Sequence, residues 1–597
     1  MMAIPGDVTL QHVVFDDAAL AADPALYLRT DAVRCQQDGL HFKAGGKARF
    51  DTWFNALGIG KWARECHLDG VFLALRGRGE FALEVSHVTP EGQLSRLLAC
   101  EIALDGRGER RLDLSACLAL PKPGLIHFSL GARGPGHLAG ARYLTRAAPT
   151  AWPHLAIVIT TFQRVKEVRQ TVTRLTRYLA QAEQGAQMRL FLVDNDRAGA
   201  PDVPGLCYLP NPNLGGAGGF ARGLLEAKAA GCSHCLFMDD DAAFGMENIH
   251  RTHVFLALNR HREAAVAGAM ISNANPAHLW ENGAVFDRRC RPVSGGADLR
   301  DPEQLWRIEA RALAEKPPGF YGGWWFFAFP LAGLRHYPFP FFVRGDDINF
   351  ALANRFRIST LLGVASFQDD FADKESPLTL YLDLRNHLVQ HLTIPALRIG
   401  RFGCAGIALW FILRNAVKFQ YETCDALLLA WQDVMVGPRF FTDNADMAAR
   451  RAAIAALTRQ ERFSPLPQPR RAPRHWFAAH RWRYIPLRPL WRLSLNGHLL
   501  PFYGLWANQV EIPARARSSY RDVWGSACIT YLDASGTRGY KVGLSRRRFL
   551  WLMARCGATW LRFVLGYGAL RSAYGQAYGQ MTSRRYWRRL LGLERTP

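Results

Sequence analysis

The chain has 597 residues, 49% of them hydrophobic and 12% aromatic, enough for several cores and too long for one, since domains run to roughly 100–200 residues. Its formal net charge of +23 favours a polyanionic neighbour, whether a phosphate-bearing ligand, nucleic acid or an anionic bilayer, without choosing among them. Twelve cysteines without framework spacing, and no N-terminal basic-apolar-small pattern, argue against a disulfide-stapled secreted fold and for a cytosolic setting; no stretch reaches the ~18 apolar residues that span a bilayer.

Residues 1–148 predict a β-sandwich of jelly-roll type. Val71, Leu73 and Leu75, then Phe81, Leu83 and Val85, then Ile126, Phe128 and Leu130 alternate with other residues between Gly-rich turns. Phe50-Asp51-Thr52-Trp53-Phe54 sets aromatics beside an acid, a composition shared by sugar-binding surfaces and cores. The run from Ala147 to Pro153 reads as a linker.

Strand and helix signals then alternate, predicting an α/β domain over 153–395. Leu155 to Phe162 is a buried strand, Val165 to Ala182 a helix, and Leu190 to Asn195 a second parallel strand carrying Asp194. From Asn211 to Leu224 lie four glycines in five positions, Gly215, Gly216, Gly218 and Gly219, opening a helix. Free N–H groups at a helix start suit a diphosphate, whereas a turn needing positive φ explains only one or two glycines.

Leu236-Phe237-Met238-Asp239-Asp240-Asp241 organises the chain. An apolar strand that delivers three carboxylates to its carboxyl end calls for a cation there, and oxygen ligands suit Mn²⁺ or Mg²⁺; a solvated acidic turn or a helix cap is the plain alternative. Cys232-Ser233-His234-Cys235, just before it, lacks a second pair at zinc spacing and reads as packing. Ala265 to Ile271 is a further core strand. Trp324 and Trp325 follow Gly322-Gly323 and could form a sugar platform or core. A second apolar run, Phe339 to Val343, leads to Asp346-Asp347, which a helix from Ile348 through Arg357 would place at its N-terminus.

Residues 396–597 predict a helical, basic domain with a Pro-broken segment from Pro465 to Pro489. Arg546-Arg547-Arg548 and Arg584-Arg585-Tyr586-Trp587-Arg588-Arg589, interleaved with Trp551, Trp560 and Leu561, suggest amphipathic helices that could lie on anionic lipid, or simply solvated faces.

Six segments together resemble the galactofuranosyltransferases of glycosyltransferase family 2, above all the polymerising ones. They are Thr161-Phe162-Gln163-Arg164, the run from Asn213 to Phe220, Asp239-Asp240-Asp241, Gly323-Trp324-Trp325, Asp346-Asp347, and Tyr381-Leu382-Asp383-Leu384-Arg385-Asn386. The resemblance implies a GT-A (Rossmann-like) core between the β and helical domains. It also implies inverting transfer from UDP-galactofuranose to a hydroxyl of a cell-envelope glycan, free or lipid-linked, at the inner face of the cell membrane. Residue by residue, it puts Arg164 and Asp194 on the uridine, with Asn213, Gly215 and Gly216 beside the donor. Asp239 and Asp240 face the nucleotide, while Asp241 and Asp239 hold the metal. Trp324 and Trp325 shape the acceptor site, Asp347 is the general base and Asp346 orients the acceptor.

The family takes a further metal ligand from the His of a Trp-His pair, whose positions here are Phe367 and Gln368. Gln368, Asp369, Asp370 or His387 could stand in. Gly345 occupies a position where the polymerising enzymes carry Trp. A rhamnosyltransferase or other family-2 transferase would share the same residues. A non-enzymatic basic protein that binds nucleic acid or membrane would account for the charge, but not for two apolar runs ending in acids. The expectation is an enzyme without a nucleic-acid partner, with a homo-oligomer left open.

Overall fold

In the computed structural model, which describes residues 7–20, 22–370, 375–466, 486–517, 519–520 and 522–594, the alternating N-terminal residues build one seven-stranded antiparallel sheet. The strand Phe72–Val88 shifts register near Arg76–Arg78, pairing with Gly136–Thr145 in its first half and with Leu125–Ala132 in its second. Gly39–Arg49 pairs with the same two strands. These four strands therefore close a ring, and the two layers expected of a sandwich are made by one sheet bent at its bulges. Trp53 and Phe54 are both buried, Phe54 stacking on Tyr27 at 4.5 Å, which resolves that aromatic run as core.

A nine-stranded mixed sheet follows. Its main path runs Leu206–Pro210, Met188–Asp194, Leu155–Thr161, His234–Asp239, Phe327–Pro330, Ala264–Ser272, Arg357–Gln368, Ala243–Phe244. The first four strands are mutually parallel, and all of them but the half-exposed edge strand Leu206–Pro210 are largely buried, as parallel strands covered on both faces should be. The helix Val165–Gln181 turns Val168, Val172 and Leu175 inward. Five of the nine strands were not anticipated, among them Phe327–Pro330, which enters antiparallel to its neighbours, and Arg357–Gln368, which is buried at eleven of its twelve residues. The helix expected from Ile348 to Arg357 spans Asp346–Asn354 instead, closed by Arg355 at φ 57° before that strand begins.

By its contacts the chain divides into two compact units. One comprises Met1–Asn213, Gly219–Tyr337 and Phe350–Asp369; the other comprises Leu214–Gly218, Pro338–Asn349 and Asp370–Pro597. Within the first, a single apolar cluster joins Trp53, Val88 and Leu125 to Ile271, Leu362 and Phe367. The Lys61–Glu309 ion pair is buried there at 3.1 Å.

The second unit holds the helices Pro377–Thr393, Gly400–Ala416, Tyr421–Val436 and Arg546–Met581, and adds to the helical region expected there a sheet that was not. Ser464–Pro465, Arg538–Gly543, Ser526–Leu532 and Asn508–Pro513 form a four-stranded sheet. Ile529 and Tyr531 alternate inward on one hairpin arm, Tyr540 and Val542 on the other, with Gly536 at φ 68° in the turn. Most of the Pro465–Pro489 segment lies outside the described residues. Among those residues, no helix is long and apolar enough to cross a membrane.

Candidate active site

The strand His234–Asp239 pairs in parallel with Leu155–Thr161, Asp239 opposite Thr160, and Thr161 in turn lies opposite Asp194. Three strand ends thus bring polar residues to one edge of the first unit. Thr161 Oγ1 donates to Asp240 Oδ2 at 2.7 Å. Arg164 lies 2.7 Å from Asp241 Oδ2 and 3.6 Å from Asp240 Oδ1, so a guanidinium supplies cationic charge to the triplet. Burial pushes the Asp240 carboxyl up, Thr161 and Arg164 pull it back, and Asp241 adds to the rise.

Asp194 is buried and accepts from Asp196 N at 2.9 Å, Ala198 N at 2.8 Å and the Tyr208 hydroxyl at 2.8 Å. Asn211 Nδ2 donates to Asn195 Oδ1 at 2.8 Å. Tyr208 and Asn211 were not singled out from sequence; both act on partners more than ten residues away, which no local pattern marks.

The donor set at the triplet is oxygen only, which fits a hard divalent ion. Antiparallel pairing of Ala243 with Phe367 carries Gln368 and Asp369 toward the Asp241 end. Gln368 is 2% exposed and its Nε2 has no hydrogen-bond partner, so a flipped amide can present its carbonyl oxygen. Asp369 accepts from Asn273 Nδ2 at 3.0 Å. Among the described residues, the triads whose ligand atoms already lie within 4.8 Å are His12–Glu247–His250 and Asp38–His41–His137. An ion at the triplet would therefore take over the Asp241 oxygen that Arg164 holds.

The glycines of the helix Gly215–Ala229 have two separate causes. Gly215 sits at φ 68°, and a Cβ there would lie 2.1 Å from Phe342 O. Gly219 and Gly223 are packing glycines: a Cβ would fall 2.2 Å from Thr160 Cγ2 and 2.2 Å from Val158 Cγ1 respectively. Close contact of this helix with the Leu155–Thr161 strand thus accounts for Gly219, one of the four clustered glycines, and for Gly223.

Trp324 and Trp325 lie in a turn rather than a strand, and both are buried, at 4% and 5% exposure. Trp325 Nε1 donates to Gly268 O at 3.0 Å. Trp324 packs edge-on against Phe220 and Phe237. Neither indole presents an open face, so of the two alternatives the sequence left open, platform or core, both rings take the core one.

In the second unit, the loop before the acid pair holds Phe342, Arg344 and Gly345 at φ 77°, 73° and 77°, a backbone that persists only when its surroundings impose it. The helix Pro377–Thr393 does so. Arg385 donates to Phe341 O, Asn386 Nδ2 to Val343 O at 2.9 Å and Arg344 O at 2.6 Å, and Gln390 Nε2 to Gly345 O at 2.6 Å. Asn349 Nδ2 bonds Gln390 Oε1 at 2.8 Å and receives the Tyr578 hydroxyl on its own Oδ1 at 2.7 Å.

Asp346 and Asp347 then open the helix Asp346–Asn354, where its dipole favours anions. Asp346 is buried; Asp347 is partly exposed, its Oδ1 accepting from Ile348 N at 2.8 Å. Burial pushes the Asp347 carboxyl up to about 6, against its backbone hydrogen bonds and the charge of Arg344. A carboxylate poised near neutrality is suited to accept a proton. In the same unit, Asp370 Oδ1 is enclosed without a hydrogen-bond partner. His387 donates from Nδ1 to Asp383 O at 2.8 Å, and burial lowers its pKa to about 4, leaving the ring neutral.

No family model matches the chain. The galactofuranosyltransferase GlfT2 of Mycolicibacterium smegmatis is 25% identical over 422 residues, 65% of this chain and 64% of that protein. Its counterpart from Mycobacterium tuberculosis is 25% identical over 432 residues, 67% of each. The chain is similar to mycobacterial galactofuranosyltransferases. The match spans just under two thirds of the Mycolicibacterium smegmatis relative. Among solved structures, GalNAc-T7 with UDP, GalNAc and Mn²⁺ aligns with TM-score 0.28 and 10% identity over 43% of this chain and 51% of that one. The CBM22-1 xylan-binding domain of Paenibacillus barcinonensis Xyn10C aligns with TM-score 0.15 and 13% identity, covering 24% of this chain and all of that one. Both scores are too low to define a shared fold.

Proposed function

We propose that the chain is an inverting glycosyltransferase with a GT-A core that moves galactofuranose from UDP-galactofuranose to a hydroxyl of a cell-envelope glycan. The observation that supports it most is Asp347, a carboxyl poised near neutrality on a clamped loop, in a chain similar to galactofuranosyltransferases. In this reading the acceptor oxygen attacks the anomeric carbon. The bond from that carbon to UDP breaks, its electron pair leaves with the diphosphate, and the acceptor proton passes to Asp347. A single displacement of this kind inverts the anomeric centre.

Asp346 orients the acceptor, and Trp324 and Trp325 shape its site through packing rather than stacking. Arg164 and Asp194 take the uridine, Asn213, Gly215 and Gly216 the donor, and Asp239 and Asp240 the nucleotide side. Asp239 and Asp241 would hold Mn²⁺ or Mg²⁺, with Gln368 as a further ligand ahead of Asp369, Asp370 or His387, because its amide has an unused edge. When bound, such an ion neutralises the charge that develops on the departing diphosphate.

The reading places the chain at an anionic membrane surface. On the helix Arg546–Met581, Leu550, Trp551, Leu561 and Leu565 are more than half exposed and share the open face with Arg546, Arg547 and Arg562. UDP binding measured with and without Mn²⁺ tests the donor half of the proposal. Affinity should rise with Mn²⁺ in the wild type, and Asp241→Ala should abolish that rise with the fold intact. Unchanged Mn²⁺ dependence in the variant would remove Asp241 from the role.

A further inference from the structure

The geometry points to a second metal site, built by His12, Glu247 and His250 for one divalent transition ion of the zinc class. Glu247 and His250 are three residues apart at the start of the helix Glu247–Leu258 and so share a face. His12, the last residue of the strand Val8–His12, brings its Nδ1 to 2.9 Å from Glu247 Oε2. The two imidazole rings are 4.5 Å apart, and one ligand atom from each of the three side chains lies within 4.8 Å of the others. Bonds of about 2.1 Å in a tetrahedron put ligand atoms roughly 3.4 Å apart, so closing on an ion takes only small side-chain shifts.

The surroundings prepare each ligand. His250 Nε2 lies 2.9 Å from Thr9 O; donating there leaves the Nδ1 lone pair for a metal and fixes the ring, as outer partners of metal-bound histidines do. Arg251 Nε holds Glu247 Oε1 at 3.0 Å, leaving Oε2 turned to His12. The ion would replace the direct contact between His12 Nδ1 and Glu247 Oε2. The His12 side chain is 47% exposed, which provides an entry path. Bound there, the ion would tie the N-terminal sheet to a helix that flanks the nine-stranded sheet, a role independent of the transferase reading.

The test is to titrate the full chain with Zn²⁺ by equilibrium dialysis and with Co²⁺ by visible absorption, comparing His12→Ala and His250→Gln with His41→Ala and Asp241→Ala. His12→Ala changes an exposed side chain, and His250→Gln keeps a donor for Thr9 O. The site predicts that each of these two weakens one bound ion at least tenfold and loses the Zn²⁺-induced rise in unfolding midpoint. His41→Ala and Asp241→Ala should leave that ion unchanged. Wild-type binding in both histidine variants, or loss that follows His41 or Asp241 instead, would overturn the assignment.

Discussion

Asp347 fixes the expected pH dependence. A base works ionised, and burial has raised this carboxyl to about 6, so turnover should climb as pH rises through that value and fall away below it. Asp347→Asn keeps the shape, removes the proton acceptor, and should cut kcat by at least about a hundredfold, with UDP affinity nearly unchanged and the acid limb gone. Arg344 favours the charged form, so Arg344→Ala should move the limb to higher pH. A near-wild-type rate in Asp347→Asn would place the base elsewhere. The acids themselves were legible in the sequence, because each set follows an apolar run; the first run is the strand His234–Asp239, whereas the second, 339–343, is a loop held by hydrogen bonds from the helix Pro377–Thr393 rather than the strand its pattern suggested. The partners of these acids were not legible: the Arg164–Asp241 contact at 2.7 Å joins residues 77 positions apart, and only parallel strand pairing puts them at one edge.

The helix Gly215–Ala229 shows how one composition can serve two ends. In the sequence its glycines favoured a phosphate contact over a positive-φ turn, and a packing seam was not weighed, because sequence carries no measure of how closely a neighbouring strand approaches. Gly223→Ala separates the causes. Helix propensity alone would make Ala more stable by about 1 kcal/mol, but the new methyl would meet Val158 Cγ1 at 2.2 Å in a strand fixed on both sides. Overpacking should win, destabilising the protein by about 1–3 kcal/mol in chemical denaturation; a stabilised variant would show that the helix can move off the strand. The Trp324–Trp325 pair was ambiguous for a related reason. Adjacent residues in a strand face opposite ways, but these lie in a turn, where both rings can be buried. The missed strand Arg357–Gln368 has no alternation because both its faces are buried. The hairpin Ser526–Gly543, by contrast, did alternate, and was obscured by the helical, Arg-rich sequence around it.

For the whole molecule, the net charge of +23 bears on the proposed membrane placement rather than on the chemistry. Exposed leucines and Trp551 among arginines on the helix Arg546–Met581 should hold it on anionic liposomes, with binding that falls as salt rises. Equal partition onto neutral vesicles would contradict that placement. The claim on which the transferase reading depends is the donor. It is tested most directly by offering the purified chain UDP-galactofuranose, other UDP-sugars and dTDP-rhamnose in turn, with Mn²⁺ and with chelator, and measuring release of the nucleoside diphosphate. The account predicts turnover with UDP-galactofuranose that is lost on chelation and at least tenfold above any other donor. Preferential turnover of dTDP-rhamnose, or of no nucleotide sugar at all, would contradict it.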